Sequence, residues 1–299
     1  MELTNKLNPL NYLIEYRMVE ISNKLIHAVI NPIGAELISL SKLRDENILW
    51  NKNEVYWNRI APNLFPIVGR LKNDCYTYHN NTYLLTQHGF ARDNYFEVVE
   101  KRESSVLFRL VANENSRKIY PFEFIFEILY SIVDNEIEIS YCVQNRGEGI
   151  MPYSVGGHPG FAIDGNLTDY FLDFGMIFSP KRWMLEGSYF SGETKKLSIE
   201  HELKLNYQLF ENDAIVFKNP EFKQVILTHK EKGRIAGLSS DTITAIGFWT
   251  KKNAPFLCIE PWWGWADKLE NSGNILEKEG IQLLAANETK SHSYKIELF

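Results

Sequence analysis

The sequence predicts an all-β protein, a large antiparallel β-sandwich with few short helices. Apolar residues alternate with polar ones in 122–128 and again in 137–143, and Asp134-Asn135 supplies a turn between the two segments. This pattern predicts a long hairpin with one buried and one solvated face. Many strands separated by turn signals, with few helical patterns, favour an antiparallel sandwich over a parallel α/β sheet.

The rest of the chain supports this fold class segment by segment. Strand patterns also occur at 18–21, 106–111, 224–229, 243–249, 256–259 and 293–298. Short helices are expected at 54–57 and near 265–269. Because the sequence has no internal repeat or linker, we expect one domain over residues 18–299. Residues 1–17 fit the strand pattern poorly and are interpreted as an N-terminal extension, at a sheet edge or poorly ordered.

Composition narrows the classes of partner. The chain has 299 residues and a net charge of −6, without the basic block that would bind a phosphate backbone, which argues against nucleic acid. Its three cysteines form no CxxC pair, which argues against a disulfide framework and a thiolate zinc site. No apolar run reaches the roughly 18 residues of a membrane span, and no signal peptide is recognisable. We expect a cytoplasmic protein, and the oligomeric state is left open.

Three separated patches each place an ionisable residue among glycines and aromatics. They are Gln87-His88-Gly89-Phe90, Gly157-His158-Pro159-Gly160-Phe161 and Glu260-Pro261-Trp262-Trp263-Gly264-Trp265. Two imidazoles and a carboxylate exchange protons near neutral pH, and aromatic rings hold the apolar face of a sugar. If the fold brings the patches together, the sequence predicts proton-transfer chemistry on a carbohydrate.

Each of these residues also has a purely structural interpretation. His158 fits a general acid in a cleft or a turn histidine that caps a strand end. Glu260, beside tryptophans, fits a partly desolvated general base better than an edge ion pair. The tryptophans fit core packing, and Trp262 and Trp263 face opposite ways in an extended chain, so only one of them is expected to contact substrate. Arg70, taken alone, fits a surface charge.

Five motifs in order resemble the aldose 1-epimerase (galactose mutarotase-like) family, within it the branch of the LacX proteins. The resemblance runs from about Met18 to the C-terminus. It depends on Asn31-Pro32-Ile33-Gly34-Ala35-Glu36-Leu37, Phe65-Pro66-Ile67-Val68-Gly69-Arg70-Leu71-Lys72-Asn73, Gln87-His88-Gly89-Phe90-Ala91-Arg92-Asp93, Gly157-His158-Pro159-Gly160-Phe161 and Glu260-Pro261-Trp262-Trp263-Gly264-Trp265-Ala266-Asp267.

The resemblance implies a galactose mutarotase-like β-supersandwich that interconverts the α and β anomers of a hexose without a cofactor or metal. It assigns His158 as the general acid and Glu260 as the general base, with His88 and Arg70 holding the sugar. Asp267 matches an aspartate beyond the base and is expected to support the site. Trp262 joins the predicted substrate-binding residues as an aromatic wall.

The chain also departs from authentic galactose mutarotases, so the resemblance does not imply galactose. Those enzymes carry a His-x-Tyr-Phe-Asn motif at His158 and a glutamine after the base, where this chain has Pro261. Their further sugar-binding aspartate has no clear counterpart, Asp241 being only a guess. Arg92 is similar to an arginine of hexose-6-phosphate mutarotases, and Arg70, Lys72 and Arg92 together fit a phosphate.

In the predicted mechanism, Glu260 takes the C1 hydroxyl proton while His158 protonates the ring oxygen. Ordinary pKa values of roughly 6.5 and 4.3 then predict a bell-shaped pH dependence around neutrality. A glycosidase fits less well, because only one carboxylate is convincing. A His/His/Glu metal site fits the ligand types but not the spacing of known zinc signatures. A non-catalytic sugar sensor on the same fold remains the alternative from another class.

Overall fold

The computed structural model describes residues 17–43 and 45–299. Residues 1–16, nearly all of the predicted extension, lie outside the described residues. The division into an extension and one domain therefore stays a prediction.

The described chain contains twenty-four strands and one α-helix, α1 (Glu114–Ile119). The strands of the first half are β1 (Val19–Ser22), β2 (Ile26–Asn31), β3 (Glu36–Lys42), β4 (Asn63–Leu64), β5 (Cys75–Tyr78), β6 (Asn81–Leu84), β7 (Glu97–Lys101), β8 (Ser105–Val111), β9 (Phe124–Val133), β10 (Glu136–Asn145), β11 (Met151–Tyr153) and β12 (Val155–Gly157). Those of the second half are β13 (Gly160–Ala162), β14 (Tyr170–Phe178), β15 (Lys181–Glu186), β16 (Tyr189–Lys196), β17 (Ile199–Lys204), β18 (Ile215–Lys218), β19 (Gln224–His229), β20 (Gly233–Ser239), β21 (Ala245–Trp249), β22 (Phe256–Trp263), β23 (Gln282–Leu284) and β24 (Thr289–Leu298). Short 3-10 turns cover Lys72–Asp74, Ala91–Asp93, Leu167–Asp169, Tyr207–Phe210 and Ile275–Glu277.

Two large antiparallel sheets dominate the fold, which confirms the predicted fold class. One has nine strands in the order β17-β14-β19-β20-β24-β10-β9-β8-β7. The other has eight, in the order β16-β15-β18-β21-β22-β12-β4 with β13 also paired to β22. Smaller sheets are β1-β2-β3, β5-β6 and β11-β23.

The predicted strands agree well with those in the structure. The hairpin is β9 and β10, joined at Asp134-Asn135, and its buried residues alternate along both strands as the pattern requires. The strand predicted at 224–229 is β19. The two helix predictions are wrong: 53–57 is a turn closed by a bridge between Asn53 and Trp57, and 265–269 is irregular.

The apolar core lies between the two large sheets. Aromatic rings join them: Phe174 of the nine-stranded sheet and Phe248 of the eight-stranded sheet have centroids 6.0 Å apart. Tyr141 and Trp263 make a similar contact at 6.1 Å. Within the described residues, no helix is both long and apolar enough to cross a bilayer.

Candidate active site

Strand pairing brings the three patches together on the eight-stranded sheet. β12 runs antiparallel to β22 with Gly156 opposite Trp262, so His158, directly after β12, lies beside Glu260 of β22. Phe65, just after β4, bridges to Gly89 and brings the His88 patch to the same end. The three patches meet only because β12 pairs in register with both β22 and β4, which lie far apart in the sequence.

A cavity of about 390 Å³ opens at this point. It is lined by Trp57, Pro62, Gly69, Gln87, His88, Arg92, His158, Leu185, Ser188, Phe190, Asp213, Ala214, Val216, Trp249, Lys251, Glu260, Trp262 and Ala266. Five of the seven predicted site residues, His88, Arg92, His158, Glu260 and Trp262, are therefore brought together. Arg70 and Asp267 are not among the lining residues.

His158 and Glu260 contact each other in this cavity. Nε2 of His158 lies 3.1 Å from Oε2 of Glu260, and the two side chains are 10% and 2% exposed. The indole of Trp57 stacks on the imidazole with centroids 4.8 Å apart, which fixes the plane of the ring. Nδ1 of His158 is buried and has no hydrogen-bond partner in the described structure. Nε2 is thus directed at the carboxylate.

Burial shifts the pKa values of this pair in opposite directions. Desolvation lowers the pKa of His158, helped by the nearby Arg92 and Arg59 charges. Desolvation raises the pKa of Glu260 well above its ordinary value, and the Asp213 carboxylate adds to that rise. Both shifts favour the uncharged form of each group. Relative to the reference values, these shifts favour a proton on the carboxyl over a proton on the imidazole.

His88 is held as a neutral imidazole. Its Nδ1 accepts the backbone N–H of Gly69 at 3.2 Å, and its Nε2 lies 3.3 Å from the side-chain amide nitrogen of Gln87. Burial and the neighbouring His158 lower its pKa well below 6.5. A neutral imidazole at the cavity suits binding of a sugar hydroxyl.

Trp262 forms a wall of the cavity because two glycines leave room for its indole. A Cβ at Gly156 would lie 2.8 Å from the ring, and one at Gly247 would lie 2.6 Å from it. Its Nε1 is buried without a hydrogen-bond partner in the described structure. Trp263, on the opposite face of β22, packs against His292 in the core with ring centroids 4.9 Å apart. The prediction that the two tryptophans face opposite ways is confirmed.

Arg92 contributes a cation to the cavity. Its Nη2 donates to the backbone carbonyl of Gln87 at 2.8 Å, and its Nε lies 3.7 Å from the Asp93 carboxylate. Burial lowers its pKa to about 10, so the guanidinium stays charged at neutral pH. This positive charge can attract a ligand oxygen in the cavity.

The structure places the Arg70 and Asp267 side chains outside the cavity. The Arg70 guanidinium pairs with Asp74 through two contacts of 2.7 and 2.6 Å. Asp267 forms a buried ion pair with Lys278 at 2.8 Å and accepts the backbone N–H of Lys72 at 2.9 Å. These contacts hold the turn after β22 in place. The roles predicted for Arg70 and Asp267 stay predictions, and neither residue is among those that line the cavity.

Asp213 is a cavity residue that the sequence did not reveal. It precedes β18 in a left-handed conformation with φ of 66° and accepts the backbone N–H of Ala214 at 2.8 Å. Burial raises its pKa, opposed by Arg182. The sequence around Asp213 has no feature that indicates a function. Asp213 reaches the cavity because β18, which follows it, lies two strands from β22 in the sheet. The guessed Asp241 lies instead on the surface, paired with Lys223 at 2.7 Å.

Comparison with known proteins identifies the family. The sequence profile of the aldose 1-epimerase family matches residues 17–297. The chain belongs to the aldose 1-epimerase family. It is 31% identical over 294 residues to the chromosomal LacX protein of Lactococcus lactis subsp. lactis, covering 93% of this chain and 98% of LacX.

Solved structures agree with this assignment. A galactose mutarotase related enzyme from Lactobacillus acidophilus matches with a TM-score of 0.90 and 32% identity, over 95% of this chain and 97% of that one. A galactose mutarotase-like protein from Lactobacillus casei matches with a TM-score of 0.90 and 29% identity, over 95% and 100% of the chains. The predicted aldose 1-epimerase fold and LacX relationship are confirmed.

Proposed function

We propose that this protein is an aldose 1-epimerase that interconverts the α and β anomers of a hexose. The observation that carries the proposal is the 3.1 Å contact between Nε2 of His158 and Oε2 of Glu260 in an aromatic-walled cavity. The two sugar oxygens that exchange protons in this reaction, O1 and O5, are both bonded to C1. An acid and a base in contact with each other can therefore reach both oxygens from one side of the ring.

The single proton of the pair is enough for the reaction. Moving it from Oε2 of Glu260 to Nε2 of His158 gives a carboxylate and an imidazolium. Glu260 then takes the proton from O1–H while His158 protonates O5, and the C1–O5 bond breaks to give the open aldehyde. After rotation about C1–C2, closure on the other face reverses both transfers. Each transfer contributes on the order of 10²–10⁴-fold.

The other cavity groups orient the sugar. His88 and the Arg92 guanidinium bind sugar oxygens, and the Asp213 carboxylate accepts from hydroxyls. Trp262 packs against the apolar face of the ring. Together these contacts fix C1 above the catalytic pair, which accounts for part of the acceleration through positioning.

A hexose 6-phosphate is a second candidate substrate, favoured by the two cations at the cavity, Arg92 and Lys251. Arginine binds phosphate through its fixed fork of donors. The Asp213 carboxylate repels a phosphate placed near it. A hexose 6-phosphate would therefore depend on Arg92 and Lys251, whereas a free hexose could also bind Asp213.

Polarimetry of freshly dissolved sugars tests the proposal. The relaxation of α-glucose, α-galactose and their 6-phosphates is followed with and without protein. Faster relaxation of one or more sugars supports the epimerase and names its substrate class. Saturable sugar binding without any acceleration would instead indicate a sensor on the same fold.

A further inference from the structure

A thiol lies next to the His158–Glu260 pair, outside the proposed catalytic reaction. Cys258 occupies the same face of β22 as Glu260, two positions earlier, and is fully buried. Its Sγ and one donor atom each of His158 and Glu260 lie within 4.8 Å of one another. His88, the other histidine of the cavity, does not belong to this group.

We propose that Cys258, His158 and Glu260 form a binding site for a soft divalent cation of the zinc and cadmium class. Thiolate, imidazole and carboxylate are the three ligand types that zinc uses in proteins. Donor atoms around a tetrahedral zinc lie about 3.3–3.8 Å from one another, given its bond lengths of roughly 2.0–2.3 Å. The Nε2–Oε2 distance of 3.1 Å and the 4.8 Å bound need only small side-chain shifts to reach this range.

The charge balance of the occupied site suits its burial. One thiolate and one carboxylate neutralise a divalent cation, and the imidazole adds no charge. A net-neutral cluster avoids the cost of burying an uncompensated charge. Binding releases two protons, one from the Cys258 thiol and one from the His158–Glu260 pair.

The cation enters from the cavity, because His158 and Glu260 line the cavity whereas Cys258 is fully buried and does not. The fourth tetrahedral position then faces the cavity and takes a water or a sugar hydroxyl. Since the metal occupies Nε2 and the carboxylate, the pair loses its transferable proton. On the proposed function, zinc is therefore a reversible inhibitor that a chelator removes.

Cadmium binding tests the site without using activity. We expect one Cd²⁺ per chain by equilibrium dialysis, with the ultraviolet thiolate-to-cadmium charge-transfer band. Cys258→Ser abolishes the band and weakens binding by more than about 100-fold, because even the loss of a supporting residue costs 10–100-fold. A Cys75→Ser/Cys142→Ser variant keeps Cys258 as its only thiol and is expected to bind as the wild type does.

Glu260→Gln, which retains the thiol, gives an independent check and is expected to weaken Cd²⁺ binding. Circular dichroism confirms that each variant is folded, and Cys258→Ala replaces the serine variant if that one is not. No stoichiometric binding by the wild type, or a band that persists without Cys258, overturns the site. If Cd²⁺ binds as expected but the protein has no epimerase activity, the metal site stands. Only the claim that the metal inhibits the enzyme is then rejected.

Discussion

Nε2 of His158 and Oε2 of Glu260 lie in contact at 3.1 Å, held between the Trp57 indole on one side and β22 on the other. Burial disfavours charge on either group, which favours one proton shared between the carboxyl and the imidazole. Most of the behaviour expected of this protein follows from that shared proton.

The first prediction concerns the pH profile. The rate requires a pair with one proton, so its acid limb reports the addition of a second proton to neutral His158. Because the pKa of His158 is lowered, this limb is expected well below pH 6.5. Burial lowers the pKa of His158 to about 3, so initial rates measured by polarimetry from pH 4 to 9 should show no acid limb near 6.5. An acid limb at or above 6.5 would show that His158 is not desolvated as described.

The second prediction concerns stability. The pKa of Glu260 is raised in the folded chain, so folding retains a proton that the unfolded chain releases above about pH 4.5. This contribution to stability is lost as pH rises towards the folded pKa. Glu260→Gln has no proton to lose. The slope of unfolding free energy against pH should differ between the two proteins by up to about 1.4 kcal/mol per pH unit.

Urea unfolding of wild type and Glu260→Gln at several pH values between 5 and 8 measures this difference. Titrating groups outside the His158–Glu260 pair are common to both proteins, so the comparison isolates that pair. Parallel slopes would mean that Glu260 titrates as an ordinary glutamate.

The third prediction concerns Asp213. Asp213→Asn removes a charged acceptor from the cavity and is expected to raise KM by about tenfold or more, since a hydrogen bond to a charged group contributes roughly 1.5–3 kcal/mol. Asp241→Asn is the matched control, because Asp241 lies on the surface in an exposed ion pair. Equal KM values for the two variants would remove Asp213 from the site.

The fourth prediction separates the two arginines that the sequence had grouped together. Arg92→Gln removes the cavity cation and should raise KM by about tenfold or more, most strongly for a phosphorylated hexose. Arg70→Gln breaks only a half-exposed pair with Asp74 and should leave KM unchanged. A KM effect confined to Arg70→Gln would reverse this assignment.

The sequence predicted the fold better than it predicted the cavity. Period-two alternation is a local property, so the β9–β10 hairpin and β19 could be found directly. His158, Glu260 and Trp262 lie in unusual glycine- and aromatic-rich contexts that also marked them. Asp213 carries no such mark, because only the neighbouring positions of β18, β21 and β22 in the sheet bring it to Glu260.

Two predicted site residues do not line the cavity, and the reason is again long-range contacts. Arg70 and Asp267 lie in motifs next to the cavity, and their neighbours Gly69 and Ala266 line it. Which way each side chain points depends on partners elsewhere in the chain. Lys278 draws Asp267 into a buried pair, and no pattern around either residue reveals that contact.

The most direct test is the rate of anomer interconversion in His158→Gln, Glu260→Gln and the double variant, measured by polarimetry with Asp241→Asn as the control. Each single variant is expected to lose on the order of 10²–10⁴-fold in kcat. The double variant should lose little more than either single one, because the two residues act as a unit on one proton. A single variant that retains the wild-type rate, or losses that multiply fully in the double variant, would contradict the shared-proton mechanism.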